Sequence, residues 1–211
     1  MAFDVLARGI GMGFAIAAPV GPIGLLCIRR TLADGRAAGL ATGLGAATAD
    51  GLYGLLVAVG FAASGLLLSY ATPLAIGGGL LLMWLGAMSV RGFLKARGST
   101  EALHAAPTHR TLLKSWATTF VLTMANPMTI LTFVGMIAGL GAAAASAPAA
   151  PYWLVLGVFL GSALWWLFLV QLALTIRSRM TPALTRWFDL ASGLVIFVWG
   201  TGIALGALGG W

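Results

Sequence analysis

A chain of 211 residues of which 60% are hydrophobic and only 8% charged, against about 25% charged in an ordinary soluble domain, is composed for lipid rather than water. The polar stretches between its apolar runs are too short to bury a core of their own, so residues 1–211 form one membrane domain. The net charge of +7 sits in short turns rather than on one polar face, which excludes nucleic acid as the partner, and the single cysteine, Cys27, excludes an intrachain disulfide and every CxxC redox or zinc scheme.

Apolar runs near the ~20 residues needed to cross a bilayer predict six spans: Val5 to Cys27, Ala38 to Gly60, Thr72 to Val90, Trp116 to Leu140, Tyr152 to Leu172 and Trp187 to Leu208. The fold class expected is an all-α integral membrane protein. Ala15-Ile16-Ala17 mimics a signal-peptidase site. Met1-Ala2-Phe3-Asp4 lacks a positive n-region, however, and the apolar run continues past the cut, so this stretch reads as the first span.

Within that span, Pro19-Val20-Gly21-Pro22-Ile23-Gly24 interrupts what should be a continuous helix. Each proline removes a backbone donor and clashes with the carbonyl four residues back, freeing polar groups that lipid cannot satisfy. Broken backbone of this kind is tolerated where it faces protein or a polar cavity. It therefore marks either the lip of a substrate path, through Pro19, Gly21, Pro22 and Gly24, or a kink kept for packing.

The second span carries Asp50, about half-way along and too deep for its short side chain to reach either surface. A carboxylate at that depth costs ~2.5–3.5 kcal/mol on insertion scales and marks an ion path or proton relay. The alternative is a structural carboxyl bonded to Tyr53, Thr48 or a neighbouring helix. No basic residue is expected deep in a span to neutralise it.

The turns alternate in charge. Arg29, Arg30 and Arg36, then Arg91, Lys95, Arg97, Arg110 and Lys114, then Arg177, Arg179 and Arg186 make eleven of the twelve basic residues, and Arg8 is alone on the other side. Short basic loops stay cytoplasmic, so both termini are expected outside the cytoplasm of the inner membrane. The cytoplasmic loop of about 91–115, with Gly98, Ser99, Thr100 and Pro107, is expected to have little fixed structure. His104 and His109 within it read as solvated rather than as metal ligands, and the outer connection Ala142 to Pro151 reads as a spacer.

Glycines recur every fourth residue at Gly9/Gly13, Gly35/Gly39/Gly43, Gly157/Gly161 and Gly202/Gly206/Gly210, a spacing that lets helices approach closely. Trp84, Trp153, Trp187 and Trp211 read as interfacial anchors. Trp165 and Trp166 lie deeper, in the core or on the path.

Three spans, a cytoplasmic loop and three more spans is the layout of two inverted repeats, halves about 1–98 and 112–211. Asn126-Pro127 breaks the fourth span as Pro19 to Pro22 breaks the first, and Leu44-Gly45-Ala46 echoes Leu160-Gly161-Ser162. Substrates of such folds bind where broken helices face one another, which nominates Gly45, Asp50, Asn126 and Pro127 together with the first break.

With these residues assembled, the chain resembles the LysE/RhtB family of amino-acid exporters along essentially its whole length. The resemblance is carried by Pro19-Val20-Gly21-Pro22, by Gly39 with Gly43-Leu44-Gly45-Ala46-Ala47-Thr48-Ala49-Asp50, and by Asn126-Pro127. Where the family pattern often has Asn or Asp after the second proline this chain has Ile23, so no polar contact is carried over there. The resemblance implies a six-span efflux carrier for amino acids or similar metabolites, coupled to the proton gradient, and the depth of Asp50 in its span makes it the candidate coupling group. Alternatives are a metal-ion exporter of the same superfamily, disfavoured by the lack of ligand clusters in the spans, and a non-transport assembly protein. An enzyme is not expected, because a second intramembrane carboxylate or a membrane histidine is missing. No cofactor or metal is expected. The expected partners are a small-molecule substrate, in the first place an amino acid, and the lipid bilayer, and a homo-oligomer is compatible with both.

Overall fold

The computed structural model describes residues 2–19, 21–58, 70–95, 109–126, 129–133, 150–177 and 181–209. All secondary structure among them is helical: α1 (Ala2–Ala17), α2 (Pro22–Asp34), α3 (Arg36–Ala58), α4 (Ala71–Lys95), α5 (His109–Met124), α6 (Ala150–Arg177) and α7 (Pro182–Gly209), with a further helical stretch at 129–133. Among the described residues three stretches combine the length and apolarity needed to cross a bilayer, Thr72–Leu94, Pro151–Arg177 and Leu190–Gly209, and α1 with α2 qualifies as one broken span bent by 84°.

The local rules account for the boundaries. α2 starts at Pro22, where a missing donor costs nothing because the first-turn N–H groups have no partner within the helix. It stops at Gly35, whose φ of +89° is open to glycine and strained for other residues. The Gly35 N–H returns to the Thr31 carbonyl at 3.1 Å, while its own carbonyl accepts from Gly39 N–H at 3.2 Å to open α3. One residue thus closes one helix and begins the next.

The expected spans need correction at their ends. The first is two helices, and α2 runs on through Arg29 and Arg30 to Asp34. The fourth begins at His109 rather than Trp116. Arg91 to Lys95 and His109 to Ser115 are helical, so the connection expected from 91 to 115 is helical at both ends. His104, residues 142–149 and Trp211 lie outside the described residues.

Glycine seams set the packing. α1 runs parallel to α6, and Gly9 and Gly13 meet the backbone of Leu154, Gly157 and Val158 while Gly161 meets Ile10 and Phe14, so a Cβ at any of these glycines would overlap backbone atoms. α4 pairs with α7 in the opposite sense through Gly79 against Gly200 and Gly86 against Gly193. Such faces bring backbones into van der Waals contact, the main source of helix association in lipid. Gly202 differs from the sequence expectation: it faces open space, because two residues on from Gly200 it lies about 200° round the helix, away from the α7 seam.

α3 is sandwiched between α6 on one side and α5 on the other, with α2 across its start. The buried core gathers Leu26, Ala46, Leu82, Leu122, Val170 and Ile196 from six helices. Large apolar side chains such as Leu80, Leu164, Phe168, Leu194, Val198 and Leu205 point outward, more apolar surface than water tolerates and the surface lipid requires. The chain is a multi-pass membrane protein.

Candidate functional site

The break between α1 and α2 and the end of α5 meet at one cavity of about 70 Å³, larger than the ~10–15 Å³ that holds one water. Its lining includes Pro19, Gly21, Pro22 and Gly24 from the first break, Asp50 and Ala46 from α3, Thr123 from α5, Asn126 and Thr129 beyond it, and Trp166 from α6. Six of the eight residues nominated from the sequence therefore line the same space. Gly45 does not. It packs against the backbone of Trp116 in α5, where a Cβ would collide, and so serves the α3–α5 seam. Pro127 lies outside the described residues.

Gly21 precedes α2 in extended conformation and supplies no capping side chain. A Cβ built on it meets nothing within 4 Å, since it borders the cavity. The Gly21 carbonyl accepts from Leu25 N–H at 3.1 Å, and the Asn126 carbonyl accepts from Ile130 N–H at 3.2 Å. Each bond closes a turn beside a helix break, and in sequence each acceptor residue is followed by proline.

Asp50 is 4% exposed. None of the partners expected on its own helix holds it: the Tyr53 hydroxyl donates to the Met124 carbonyl, and Thr48 donates to the Leu44 carbonyl while accepting from Trp116 Nε1 at 3.3 Å. Instead the Ser162 hydroxyl donates to Asp50 Oδ2 at 2.7 Å, and Trp166 Nε1 donates to Ser162 Oγ at 3.2 Å. An indole nitrogen is a donor only, so Ser162 Oγ accepts from Trp166 and keeps its own hydrogen for the Asp50 carboxylate. This three-residue relay crosses from α6 to α3 at the cavity wall. The sequence left Trp166 undecided between core and path and gave Ser162 no role. Trp165, its neighbour, packs edge-on against Phe14 at 5.3 Å away from the lining.

A second polar cluster lies two turns from Asp50 along α3. Arg30 Nη1 donates to Thr42 Oγ1 at 3.2 Å, to the Ser115 carbonyl at 3.0 Å and to Thr119 Oγ1 at 3.1 Å. The sequence assigned Arg30 to a cytoplasmic turn, but the half-buried guanidinium ties α2 to α3 and α5. Its position at the end of an uninterrupted basic pair hid this, since topogenic and structural arginines look alike in sequence.

The sequence model of the family described as LysE type translocator matches residues 14–206. The chain is also 26% identical over 199 residues to "Putative amino acid efflux protein YcgF" of Bacillus subtilis (strain 168), covering 93% of each chain. No solved structure matches. The match from residue 14 to residue 206 takes in both helix breaks, Asp50 and Ser162, and the chain belongs to the LysE type translocator family.

Proposed function

We propose that the protein is a secondary efflux carrier that exports amino acids or related small metabolites across the inner membrane, driven by protons that bind and leave Asp50. The observation that carries this reading is the meeting of two helix breaks and one buried carboxylate at a single cavity. Unsatisfied backbone and an ionisable side chain are both costly in lipid and persist where a polar solute must pass. Family membership and the relative whose printed name includes amino acid efflux support the same class.

We further propose six spans arranged as two inverted three-helix repeats. Supporting this, α1 and α5 are each 16 residues long and each end at a break. α1 lies parallel to α6, and α5 lies parallel to α3, along which Gly45 meets Trp116 and Tyr53 meets Met124. A two-fold exchange of the halves turns one of these pairs into the other and leaves the α3–α6 and α4–α7 pairs as self-matched. The basic bias favours both termini outside the cytoplasm. Arg30 bonded at Ser115 and Arg177 lying against Gly35 support one basic end of the bundle.

In this mechanism the charged Asp50 attracts the ammonium group of the solute, and protonation releases it, so proton and solute compete for one carboxylate and exchange across the membrane. The test is release of amino acids from proteoliposomes under an imposed pH gradient. Gradient-dependent release is the expected result, and the absence of release of any amino acid would refute the reading.

A further inference from the structure

We propose that the cavity holds the solute's carboxylate at the N-terminus of α2, with the Thr123 hydroxyl as its second donor, so that the site selects solutes carrying ammonium and carboxylate on one carbon. This rests on the efflux reading above and extends it from one charged group of the solute to two.

The first observation is the start of α2. Gly21 brings no side-chain cap, Pro22 brings no N–H, and the Gly21 carbonyl accepts from Leu25 N–H. The N–H groups of Ile23 and Gly24 thus have no acceptor within the helix, and they stand at the positive end of a 13-residue helix dipole. Residues Gly21 to Gly24 all line the cavity. In lipid, an uncapped helix start at a cavity is a place for an anionic group.

The second observation is independent. Thr123 is 3% exposed and lines the same cavity, yet its Oγ1 is a buried polar atom without a hydrogen-bond partner. Seven other helical threonines have a partner for the hydroxyl. Thr31, Thr42, Thr48, Thr118, Thr119, Thr175 and Thr201 each donate to the carbonyl four residues earlier. Thr123 is spared that bond, and a buried hydroxyl kept unpaired is costly unless something else completes it. A carboxylate oxygen does so.

Asp50 lines the same space, with Ser162 holding one of its oxygens and the rest of its acceptor capacity available to an ammonium group. An α-amino acid bears both charges on one carbon, so its head spans donor and acceptor sets within one small cavity. An amine lacking the carboxylate leaves Thr123 and the α2 start unpaired. A carboxamide offers a neutral oxygen where the helix end favours a full negative charge.

The experiment uses the full chain in proteoliposomes loaded with a mixture of proteinogenic amino acids, their primary carboxamides and their decarboxylated amines. Release is followed by mass spectrometry and corrected for release from protein-free vesicles. The expected result is release of at least one free amino acid with its own amide and amine about tenfold slower or worse, the scale of a lost charge-assisted hydrogen bond. Thr123→Val should slow release of that acid about tenfold and bring the acid-to-amide ratio toward one, and Thr123→Ser should restore both. Amides or amines released as fast as the parent acid by the unmodified protein would overturn the carboxylate subsite while leaving the carrier standing, whether or not Thr123→Val folds. An unchanged acid-to-amide ratio in folded Thr123→Val would overturn it equally, and no release of any of the three classes would remove the subsite and the carrier together.

Discussion

The Ser162 hydroxyl and the Asp50 carboxylate stand 2.7 Å apart across the α3–α6 contact although 112 residues separate them, and Trp166 Nε1 closes the relay from behind. Removing the serine oxygen breaks two bonds at once. Ser162→Ala should lower stability by about 1–3 kcal/mol, because a buried indole N–H loses its acceptor, and should also move the pH dependence of efflux. Thermal unfolding in detergent together with a pH series of release rates checks both. A variant with unchanged stability and an unchanged pH profile would separate the relay from the carrier's chemistry.

The glycine seams make an opposite pair of expectations. A Cβ at Gly161 would overlap the backbone of Ile10 and Phe14, whereas one at Gly202 meets nothing within 4 Å. Gly161→Ala should therefore destabilise by about 1–3 kcal/mol, since backbone cannot move aside. Gly202→Ala should be neutral or stabilising by up to about 1 kcal/mol through helix propensity. Melting temperatures of the two purified variants decide the matter, and equal losses would contradict the packing described.

Arg30 supplies a third. Its one nitrogen Nη1 bonds acceptors from α3 and α5, while Thr42 and Thr119 also bond their own preceding carbonyls. Truncation thus leaves the threonine hydroxyls as satisfied donors and removes only the cross-helix ties. Arg30→Ala should cost about 1–3 kcal/mol, the range for hydrogen bonds to a charged group at a half-buried site. Arg30→Lys should recover part of this. Chemical denaturation monitored by tryptophan fluorescence gives the ranking.

Much of this site was legible in the sequence, and the limits were physical. Prolines and glycines inside an apolar run announce a helix break because backbone rules act locally, and Asp50 stands out because a charge in lipid is rare. Those signals nominated six of the residues that line the cavity. Ser162 and Thr123 carry no such mark, since hydroxyls on membrane helices ordinarily bond their own backbone. Only the three-dimensional arrangement separates Thr123, with an unpartnered hydroxyl, from Thr119 one turn earlier. Gly45 misled for the related reason that a glycine spacing reveals a close approach without revealing which helix approaches. Gly202 failed because a four-residue period does not say which face of the helix is packed: Gly200 and Ala204 on either side of it meet Gly79, and Gly202 turns away.

Topology has its own test. If the eleven basic residues on one side of the spans hold those turns in the cytoplasm, a reporter that folds only after export should be active when fused after Trp211, and a cytoplasm-dependent fluorescent reporter should be dark. The reverse pattern would contradict the outward placement of the C-terminus.

Proton coupling at Asp50 is tested most directly by pH-gradient-driven efflux from proteoliposomes containing equal amounts of folded wild type and Asp50→Asn. Asparagine keeps the size of the side chain and can still accept from Ser162, but it cannot change charge. The variant should insert and melt like the wild type while its gradient-driven release falls to the level of protein-free vesicles; equal rates for the two proteins would contradict the account.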